Sequence, residues 1–310
     1  SRAAVNGSTG PAWPAMAVPS PAPRGVTSNW SVRAMTAAMA FKDDKRIVDL
    51  SNQIVDRVNW QWMLNGSHLF SMGWTPEFGF LHSRWDRFSE LLLLVLIGMG
   101  ANENAAPPEC WNAWRREDAL THDGKQFLSY PPLFVHQYPH AFFDFRHIDA
   151  PSGRNYWDNS VTAHEAHQHY LNQLGIRQPA NFGHYNSDLW GLTSSDSSFG
   201  YVDWGGPYRE GSFAPERGMD GTIVPSAAGG ALPIVPDAAL RTLRHQQATY
   251  GDRIYGRYGF VNAYNPRSGW VGSDVIGIDT GITLILAENH LSGDVWKHFM
   301  QHPVAQRGLA

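Results

Sequence analysis

The chain has 310 residues, 43% of them hydrophobic and 13% aromatic, which is enough for one large core or two modest ones. Its formal net charge of −4, without a basic stripe, argues against nucleic acid as the main partner. The single cysteine, Cys110, excludes an intrachain disulfide, and the longest apolar run, residues 91–97, is too short to span a bilayer.

The first residues of the chain differ in composition from the rest, because Ala, Pro, Ser and Gly dominate up to Pro23. We predict an extended or disordered segment over residues 1–28 and one domain over residues 29–310. The lone cysteine fits either a cytoplasmic enzyme or an exported bacterial protein that does without disulfides. We expect a secreted or periplasmic protein, and a cytoplasmic location stays open.

Apolar residues at three- and four-residue spacing predict helices in the first half of the chain. The pattern is helical from residue 30 to residue 63. Its clearest stripe, in residues 45–64, consists of Ile47, Leu50, Ile54, Val58 and Trp62. A helix predicted over residues 84–98 is apolar all round in its second half, which is typical of a helix buried on every side. Shorter helices are predicted over residues 108–116 and 136–146.

The second half of the chain combines helices with long loops. Helices are predicted over residues 155–174, 236–250, 273–291 and 293–300. Residues 181–233 carry many Gly, Ser, Asp and Pro residues with aromatic residues between them, which predicts long ordered loops. Strands and helices do not alternate, so a doubly wound sheet or a β/α barrel is excluded. We predict an all-α domain, a helical toroid with long aromatic-rich loops on one rim.

The motif that most resembles a metal site is His164-Glu165-Ala166-His167-Gln168-His169. A zincin needs two histidines at i and i+4 with the glutamate next to the first, and the spacing here differs. His164 also falls on the apolar stripe of its helix, which favours a mixed surface-and-core helix. Since no Gly-x-Ser-x-Gly elbow is present either, we predict neither a metal, nor a cofactor, nor a nucleophilic serine.

Carboxylates among aromatic residues are the remaining candidates for chemistry. Glu90 enters the apolar half of its predicted helix, and Asp279 lies between Ile278 and Ile282 at a helix start. A buried carboxyl group has a raised pKa, as a general acid requires at neutral pH. The alternative is a structural carboxylate that caps a backbone amide or pairs with an arginine such as Arg84 or Arg87.

Nine segments in register resemble the bacterial glucoamylase-like glycoside hydrolase family, which includes endo-β-1,2-glucanases and sophorose-releasing enzymes. The resemblance covers nearly everything from about residue 30 to residue 302. Its segments are Val58-Asn-Trp-Gln-Trp-Met63, Met72-Gly-Trp-Thr-Pro-Glu77, Arg84-Trp-Asp-Arg-Phe-Ser-Glu90, Phe134-Val-His-Gln-Tyr-Pro-His140, Leu189-Trp-Gly-Leu-Thr193, Asp220-Gly-Thr-Ile-Val-Pro225, Gly256-Arg-Tyr-Gly-Phe260, Ile276-Gly-Ile-Asp-Thr-Gly281 and Val295-Trp-Lys-His-Phe-Met300.

This resemblance implies an (α/α)6 toroid with a deep pocket where the inner helices begin, and a catalytic domain over residues 29–310. It assigns Glu90 and Asp279 to the family's essential carboxylates. It also implies an oligo- or polysaccharide as the partner, with no cofactor or metal. The residues expected to contact that substrate are Trp85, Asp86, His136, Gln137, His140, Asp144, Trp190, Asp196, Tyr201 and Asp274.

One segment departs from the family pattern. Residues 25–30 contain no carboxylate, where the family usually has an acidic inner helix. Either the chain lacks the first helix of the toroid, or the site has lost one wall. The second option allows a non-catalytic glucan-binding module.

We expect β-1,2-glucan to be hydrolysed with inversion, Glu90 acting as the acid and Asp279 as the base. A carboxyl separation of about 6.5–9.5 Å is typical of inverting enzymes, and about 5–5.5 Å of retaining ones. A hydrolase of another glucosidic linkage is the further alternative, because a fold does not fix a substrate.

Overall fold

A computed structural model of the protein describes residues 28–130, 132–206, 215 and 218–310. The segment predicted to be extended or disordered falls, up to residue 27, outside the described residues. The described part is mostly helical, as predicted. Its helices are α1 (Ser28–Ala40), α2 (Lys45–Asp56), α3 (Trp60–Leu64), α4 (Leu91–Gly100), α5 (Glu109–Ala113), α6 (Tyr138–Phe142), α7 (Tyr156–Arg177), α8 (Pro179–Phe182), α9 (Pro225–Gly229), α10 (Pro236–Ile254), α11 (Gly277–Leu291), α12 (Asp294–Phe299) and α13 (Pro303–Leu309).

Short antiparallel hairpins join several of these helices, and we did not predict them. Each is a separate two-stranded sheet. Strands of two or three residues are too short to show an alternating pattern of hydrophobicity, which explains why the sequence did not reveal them. The four pairs are β1 (Trp74–Thr75) with β2 (Gly79–Phe80), β3 (Leu120–His122) with β4 (Lys125–Phe127), β5 (Ser195–Ser197) with β6 (Gly200–Val202), and β7 (Tyr255–Gly256) with β8 (Gly259–Phe260).

Helix α4 begins later than predicted, at Leu91 instead of residue 84, and Glu90 is its N-cap residue. The preceding residues form a turn region because Arg84 is fixed elsewhere. Its Nη1 donates hydrogen bonds to the carbonyl oxygens of Leu64 and Leu69, at 2.8 and 3.0 Å. All but one of the ten residues of α4 are buried, as its apolar sequence predicts. The fold therefore places Glu90 at the start of a buried helix.

Two further helix predictions need correction. Residues 45–64 form two helices, because the side chain of Asn59 accepts a hydrogen bond from the Trp62 amide and starts α3 there. Residues 136–146 form only the five-residue helix α6, flanked by 3-10 turns at Leu133–His136 and Phe145–His147. The predicted helices beginning at residues 155, 236 and 273 correspond to α7, α10 and α11.

Helix α13, which we did not predict, packs closely against α4. Gly100 and Gly308 permit the contact, because a Cβ atom at either position would collide with a backbone carbonyl of the other helix. Arg307 reinforces the packing, since its Nη2 donates a 2.7 Å hydrogen bond to the Gly100 carbonyl. The end of the described chain is thus held against the helix that carries Glu90.

The interior is organised as two large apolar clusters. One surrounds α4 and includes residues of α1, α3, α6, α12 and α13. The other lies between α7, α9 and α10. Helix α7 contributes Tyr156 to the first cluster and Tyr170 to the second, and α11 packs against both through Leu286 and Ala287. Among the described residues, no helix is both long and apolar enough to cross a membrane.

Candidate active site

Two adjoining cavities contain the two predicted catalytic carboxylates. The larger, of about 860 Å³, is lined by Glu90 and is called the Glu90 cavity here. The smaller, of about 180 Å³, is lined by Asp279 and is called the Asp279 cavity. Phe134, Ser194 and Tyr201 line both cavities and form their common wall. A ligand that spans this wall would therefore reach both acids.

The Glu90 carboxyl group is positioned to hold a proton at neutral pH. The pKa of Glu90 is raised from 4.5 to about 8. Burial is the largest cause, the hydrogen bond to its own backbone amide lowers the pKa, and the charge of Asp203 raises it. Its Oε1 atom is buried without a hydrogen-bond partner among the described residues, although part of the side chain reaches the cavity. The protonated form of Glu90 is therefore the ground state at pH 7, and such a group can donate a proton.

Asp279 lies in the first turn of α11 and is held by two hydrogen bonds. Asn262 Nδ2 donates to Oδ2 at 2.6 Å, and Ser226 Oγ donates to Oδ1 at 3.0 Å. The pKa of Asp279 is raised overall, because burial is the largest cause; the two donors lower it, and the charge of Asp196 raises it. Donors to both oxygens favour the ionised form and fix its orientation, as a general base requires.

The β5–β6 hairpin separates the two cavities and connects them through hydrogen bonds. At its base, Ser194 Oγ donates a 2.6 Å hydrogen bond to Oδ1 of Asp203, which lines the Glu90 cavity. Further along, the Asp196 amide donates a 2.8 Å hydrogen bond to Oδ1 of Asn262. The hairpin thus contacts the surroundings of both acids. Of the predicted substrate contacts, it supplies Asp196 and Tyr201 to the Asp279 cavity.

Two other predicted contacts, Trp85 and Asp86, line the Glu90 cavity. Asp86 is paired with Arg115, whose Nη2 lies 2.6 Å from Oδ2. The charge of Asp86 is therefore largely compensated, unlike that of a lone carboxylate. The carboxylate lone pairs of Asp86 that Arg115 does not use are available to sugar hydroxyl groups in the Glu90 cavity.

Four predicted contacts lie instead in the interior and line neither cavity: His136, Gln137, His140 and Trp190. Ser160 links two of them, since its Oγ lies 3.2 Å from His136 Nδ1 and 2.8 Å from His140 Nε2. Gln137 Nε2 donates to the Ala227 carbonyl at 2.8 Å. Substrate contact by these four residues stays a prediction, and the structure gives them a packing role beneath the common wall.

The last two predicted contacts, Asp144 and Asp274, also lie away from both cavities. Asp144 caps a 3-10 turn and pairs with Arg146, whose Nη2 lies 2.6 Å from Oδ2. Burial raises the pKa of Asp144, but the hydrogen bonds and charge of Arg146 lower it more. Asp274 is exposed, and its carbonyl accepts a hydrogen bond from the Asn262 amide. Asp274 thus contacts the neighbourhood of Asp279 through its backbone.

The histidine-rich segment of α7 splits between the interior and the surface. His164 and His167 are buried, whereas Glu165 and His169 are exposed. Three side chains of this segment therefore cannot bind the same metal ion. Across the described residues there is no group of three or more His, Cys, Asp or Glu side chains that could hold a metal ion.

Sequence reasoning missed three polar side chains that act on the two acids: Ser226, Asn262 and Asp203. The first two bind Asp279, and the third raises the pKa of Glu90. Asp203 carried a usable signal, since it is a carboxylate between Val202 and Trp204 in an aromatic-rich segment. Ser226 and Asn262 carried none, because their distance from Asp279 along the chain follows no helical or strand period.

Two of the solved structures that share this fold are named as β-1,2-glucanases. An endo-β-1,2-glucanase from Chitinophaga pinensis, solved with sophorotriose and glucose, superposes with a TM-score of 0.80 at 23% identity, over 91% of this chain and 68% of that one. A β-1,2-glucanase from Parabacteroides distasonis superposes with a TM-score of 0.78 at 22% identity, over 91% of this chain and 43% of that one. At such identities the likeness shows a common fold.

Among curated proteins, the chain is 23% identical over 309 residues to an exo β-1,2-glucooligosaccharide sophorohydrolase that acts at the non-reducing end, from Parabacteroides distasonis. The alignment covers 89% of this chain but only 41% of that relative, so the chain spans about two fifths of its length. The model of the Glycoamylase family, a glucoamylase-like family, matches residues 82–303 and so includes both Glu90 and Asp279. Because that match extends over well more than half of the sequence, the chain belongs to the glucoamylase-like Glycoamylase family.

Proposed function

We propose that the protein is a glycoside hydrolase that cleaves β-1,2-glucan. The similar proteins named above are β-1,2-glucanases and a β-1,2-glucooligosaccharide sophorohydrolase, and the family match spans both candidate acids. The observation that carries the proposal is the placement of the two acids, Glu90 lining one cavity and Asp279 lining the cavity that adjoins it. Burial of Glu90, which raises its pKa to about 8, supports its role as the acid. A protonated carboxyl group and a hydrogen-bonded carboxylate beside one binding space are the groups that glycoside hydrolysis needs.

The proposed fold is the (α/α)6 toroid that the family resemblance implies. In support, loops and hairpins supply most of the lining of the two cavities, and the acids lie at the N-terminal ends of α4 and α11. That position matches a pocket at the starts of inner helices. The aromatic residues of the hairpins then lie on the rim that carries the site.

In the proposed reaction, Glu90 protonates the glycosidic oxygen while Asp279 activates a water molecule on the opposite face of the ring. The glycosidic bond breaks, the oxygen of water bonds to the anomeric carbon, and the proton released by water passes to Asp279. The product has the inverted anomeric configuration. A glucosyl unit that binds against the common wall formed by Phe134, Ser194 and Tyr201 would place its glycosidic bond between the two acids.

Incubation with linear β-1,2-glucan tests the activity through the appearance of new reducing ends. We expect Glu90→Gln and Asp279→Asn each to lower the rate by at least about 100-fold, a range general acid–base catalysis supports. Glu165→Gln, an exposed carboxylate on α7, is the matched control. Wild-type rates in both active-site variants would remove the assignment. Proton NMR of the first product decides the stereochemistry, since a β-anomer at early times contradicts inversion.

A glucan-binding module without catalysis is the second candidate. One observation favours it: residues 25–30, where the family usually has an acidic inner helix, contain no carboxylate. The same incubation separates the two candidates, because retention of the protein by β-1,2-glucan without new reducing ends identifies a module. A panel of glucans with other linkages tests the remaining alternative, a hydrolase of different specificity.

A further inference from the structure

Three of the hairpins carry the same triplet where the turn enters the second strand: an aromatic residue that ends the turn, then a glycine and a second aromatic residue that begin the strand. The triplets are Phe78-Gly79-Phe80 in β1–β2, Phe199-Gly200-Tyr201 in β5–β6 and Tyr258-Gly259-Phe260 in β7–β8. The β3–β4 hairpin differs, because its turn is the polar pair Asp123-Gly124. It packs against α7 and lines neither cavity.

Each glycine has a left-handed backbone, with φ of 71° at Gly79, 107° at Gly200 and 95° at Gly259. This conformation reverses the chain between the two aromatic residues of a triplet. The first ring is therefore exposed, to 88% at Phe78, 90% at Phe199 and 69% at Tyr258. The second ring stays near the protein body, as in Phe80, whose ring centre lies 4.6 Å from that of Trp62.

Side-chain hydrogen bonds hold two of these tips in place. The Phe78 amide donates to Thr75 Oγ1 at 3.1 Å, and the Phe199 amide donates to Ser197 Oγ at 3.1 Å. At the third tip, the Arg257 guanidinium lies 5.4 Å from the ring centre of Tyr258. The exposed rings are therefore presented by defined turns.

All three hairpins stand beside the two cavities. Residues at both ends of the first hairpin, Met72 and His82, line the Glu90 cavity. The second forms part of both cavities through Ser194 and Tyr201. The third is followed within two residues by Asn262, which lines the Asp279 cavity. With strands of two or three residues, each tip lies on the order of 10 Å beyond its base.

An exposed aromatic ring loses little conformational entropy on binding and offers a flat apolar face to the C–H groups of a sugar ring. Single exposed rings are ordinary, but three in the same turn around one pair of cavities form a pattern. We propose that Phe78, Phe199 and Tyr258, called the tip aromatics here, are stacking platforms for glucosyl units of a β-glucan chain that extends beyond the cavities. This inference rests on the proposed function, because it names where the rest of the same substrate lies.

The tip aromatics should therefore matter for long chains more than for short ones. The test compares kcat/KM on linear β-1,2-glucan with kcat/KM on a β-1,2-linked trisaccharide, for Phe78→Ala, Phe199→Ala, Tyr258→Ala and the triple variant. Ile176→Ala, an exposed apolar residue of α7 that lines neither cavity, is the control. We expect the polymer-to-trisaccharide ratio to fall by about two- to tenfold for each tip variant, from the strength of a single ring stack.

An unchanged ratio in the triple variant overturns the inference while leaving the proposed hydrolase intact. Affinity electrophoresis in gels containing β-1,2-glucan gives a readout that needs no hydrolysis. If the wild type is retarded but makes no product, the proposed hydrolysis fails, and retardation that is lost in the triple variant still supports the platforms. Equal retardation of the wild type and the triple variant, or no retardation of the wild type by β-1,2-glucan, contradicts them.

Discussion

Asn262 donates, through Nδ2, a 2.6 Å hydrogen bond to Oδ2 of Asp279. This contact joins the residue expected to act as the base to the β5–β6 hairpin, because Oδ1 of the same asparagine accepts a hydrogen bond from the Asp196 amide. The amide group therefore orients one oxygen of the Asp279 carboxylate and favours its ionised form against the effect of burial.

Replacing Asn262 by Ala should raise the pKa of Asp279, because the lost donor stabilises the ionised form. A hydrogen bond to a charged group contributes about 1.5–3 kcal/mol. We expect the acidic limb of kcat/KM for glucan cleavage to move to higher pH. Ser226→Ala should shift it in the same direction. An unmoved limb in both variants contradicts the role of Asp279 as base.

The titration of Glu90 should determine the basic limb of the pH profile of kcat/KM. Its pKa of about 8 means that kcat/KM is expected to fall as the pH rises through 8 and the acid loses its proton. Asp203→Asn removes the neighbouring charge that raises this pKa, so the basic limb should move to lower pH. Asp86→Asn, in the same cavity but with its charge compensated by Arg115, should move it much less. A shift of the basic limb to higher pH in Asp203→Asn would contradict the electrostatic effect of Asp203 on Glu90.

Glu90 should also make folding stability depend on pH. Below pH 4.5 the carboxyl group is protonated in the folded and unfolded chain alike. Between pH 4.5 and about 8 only the unfolded chain releases the proton, so stability falls as the pH rises. We expect Glu90→Gln to unfold at a higher temperature than the wild type at pH 8, with the difference vanishing toward pH 4.5. Calorimetry over this pH range measures it, and a constant difference would show that Glu90 does not titrate in this window.

The buried histidines predict the opposite behaviour in acid. Burial lowers the pKa to about 3 for His140 and His164, to about 4 for His167, and well below 6.5 for His136. The unfolded chain takes up these protons below pH 6.5 while the folded chain does not, so stability is lost as the pH falls. Each such histidine adds about 1.4 kcal/mol per pH unit to the slope.

Denaturant unfolding between pH 6 and pH 4.5 measures this slope. His167→Gln should reduce the slope by the contribution of one histidine, about 1.4 kcal/mol per pH unit, whatever its effect on stability at pH 7. His169→Gln, an exposed histidine of the same helix, is the control and should leave the slope unchanged. A wild-type slope near zero would mean that the four histidines already bind protons in the folded protein.

The packing of α4 against α13 gives a prediction for stability alone. Gly100→Ala places a Cβ against the Val304 carbonyl, and overpacking of this kind costs about 1–3 kcal/mol. Gly281→Ala is the matched control, because a Cβ there meets nothing within 4 Å and helix propensity favours Ala by about 1 kcal/mol. Thermal unfolding should therefore move in opposite directions in the two variants. Equal shifts would contradict the close approach of the two helices.

Helices with strong local signals were predictable, and α7 is the clearest case. Asn155 was the first residue of the predicted helix, and its side chain accepts hydrogen bonds from the Trp157 and Asp158 amides, as an N-cap residue does. The start of α4 was not predictable, because Arg84 is held by carbonyl groups 15 and 20 residues away. Contacts at such separations leave no periodic trace in the sequence.

The sequence placed two acids that the structure finds beside cavities, but several of the expected substrate contacts do not line those cavities. The family motifs pointed to Glu90 and Asp279, and each lines one of two adjoining cavities. His136 and His140 were expected at the substrate but lie in the interior. A histidine between aromatic residues gives the same sequence pattern whether it faces a cavity or the core, because a buried imidazole can hydrogen-bond a neighbour such as Ser160.

Because each hairpin is a separate two-stranded sheet, one hairpin can change, and with it the specificity, without changing the others. A two-stranded ribbon of this length contributes little stability of its own and depends on the helices beneath it. The turn between its strands can therefore be exchanged without disturbing the two apolar clusters. Grafting the polar Asp123-Gly124 turn onto one of the other ribbons, or lengthening a tip by a few residues, offers a route to enzymes with altered reach along a polysaccharide on an unchanged scaffold.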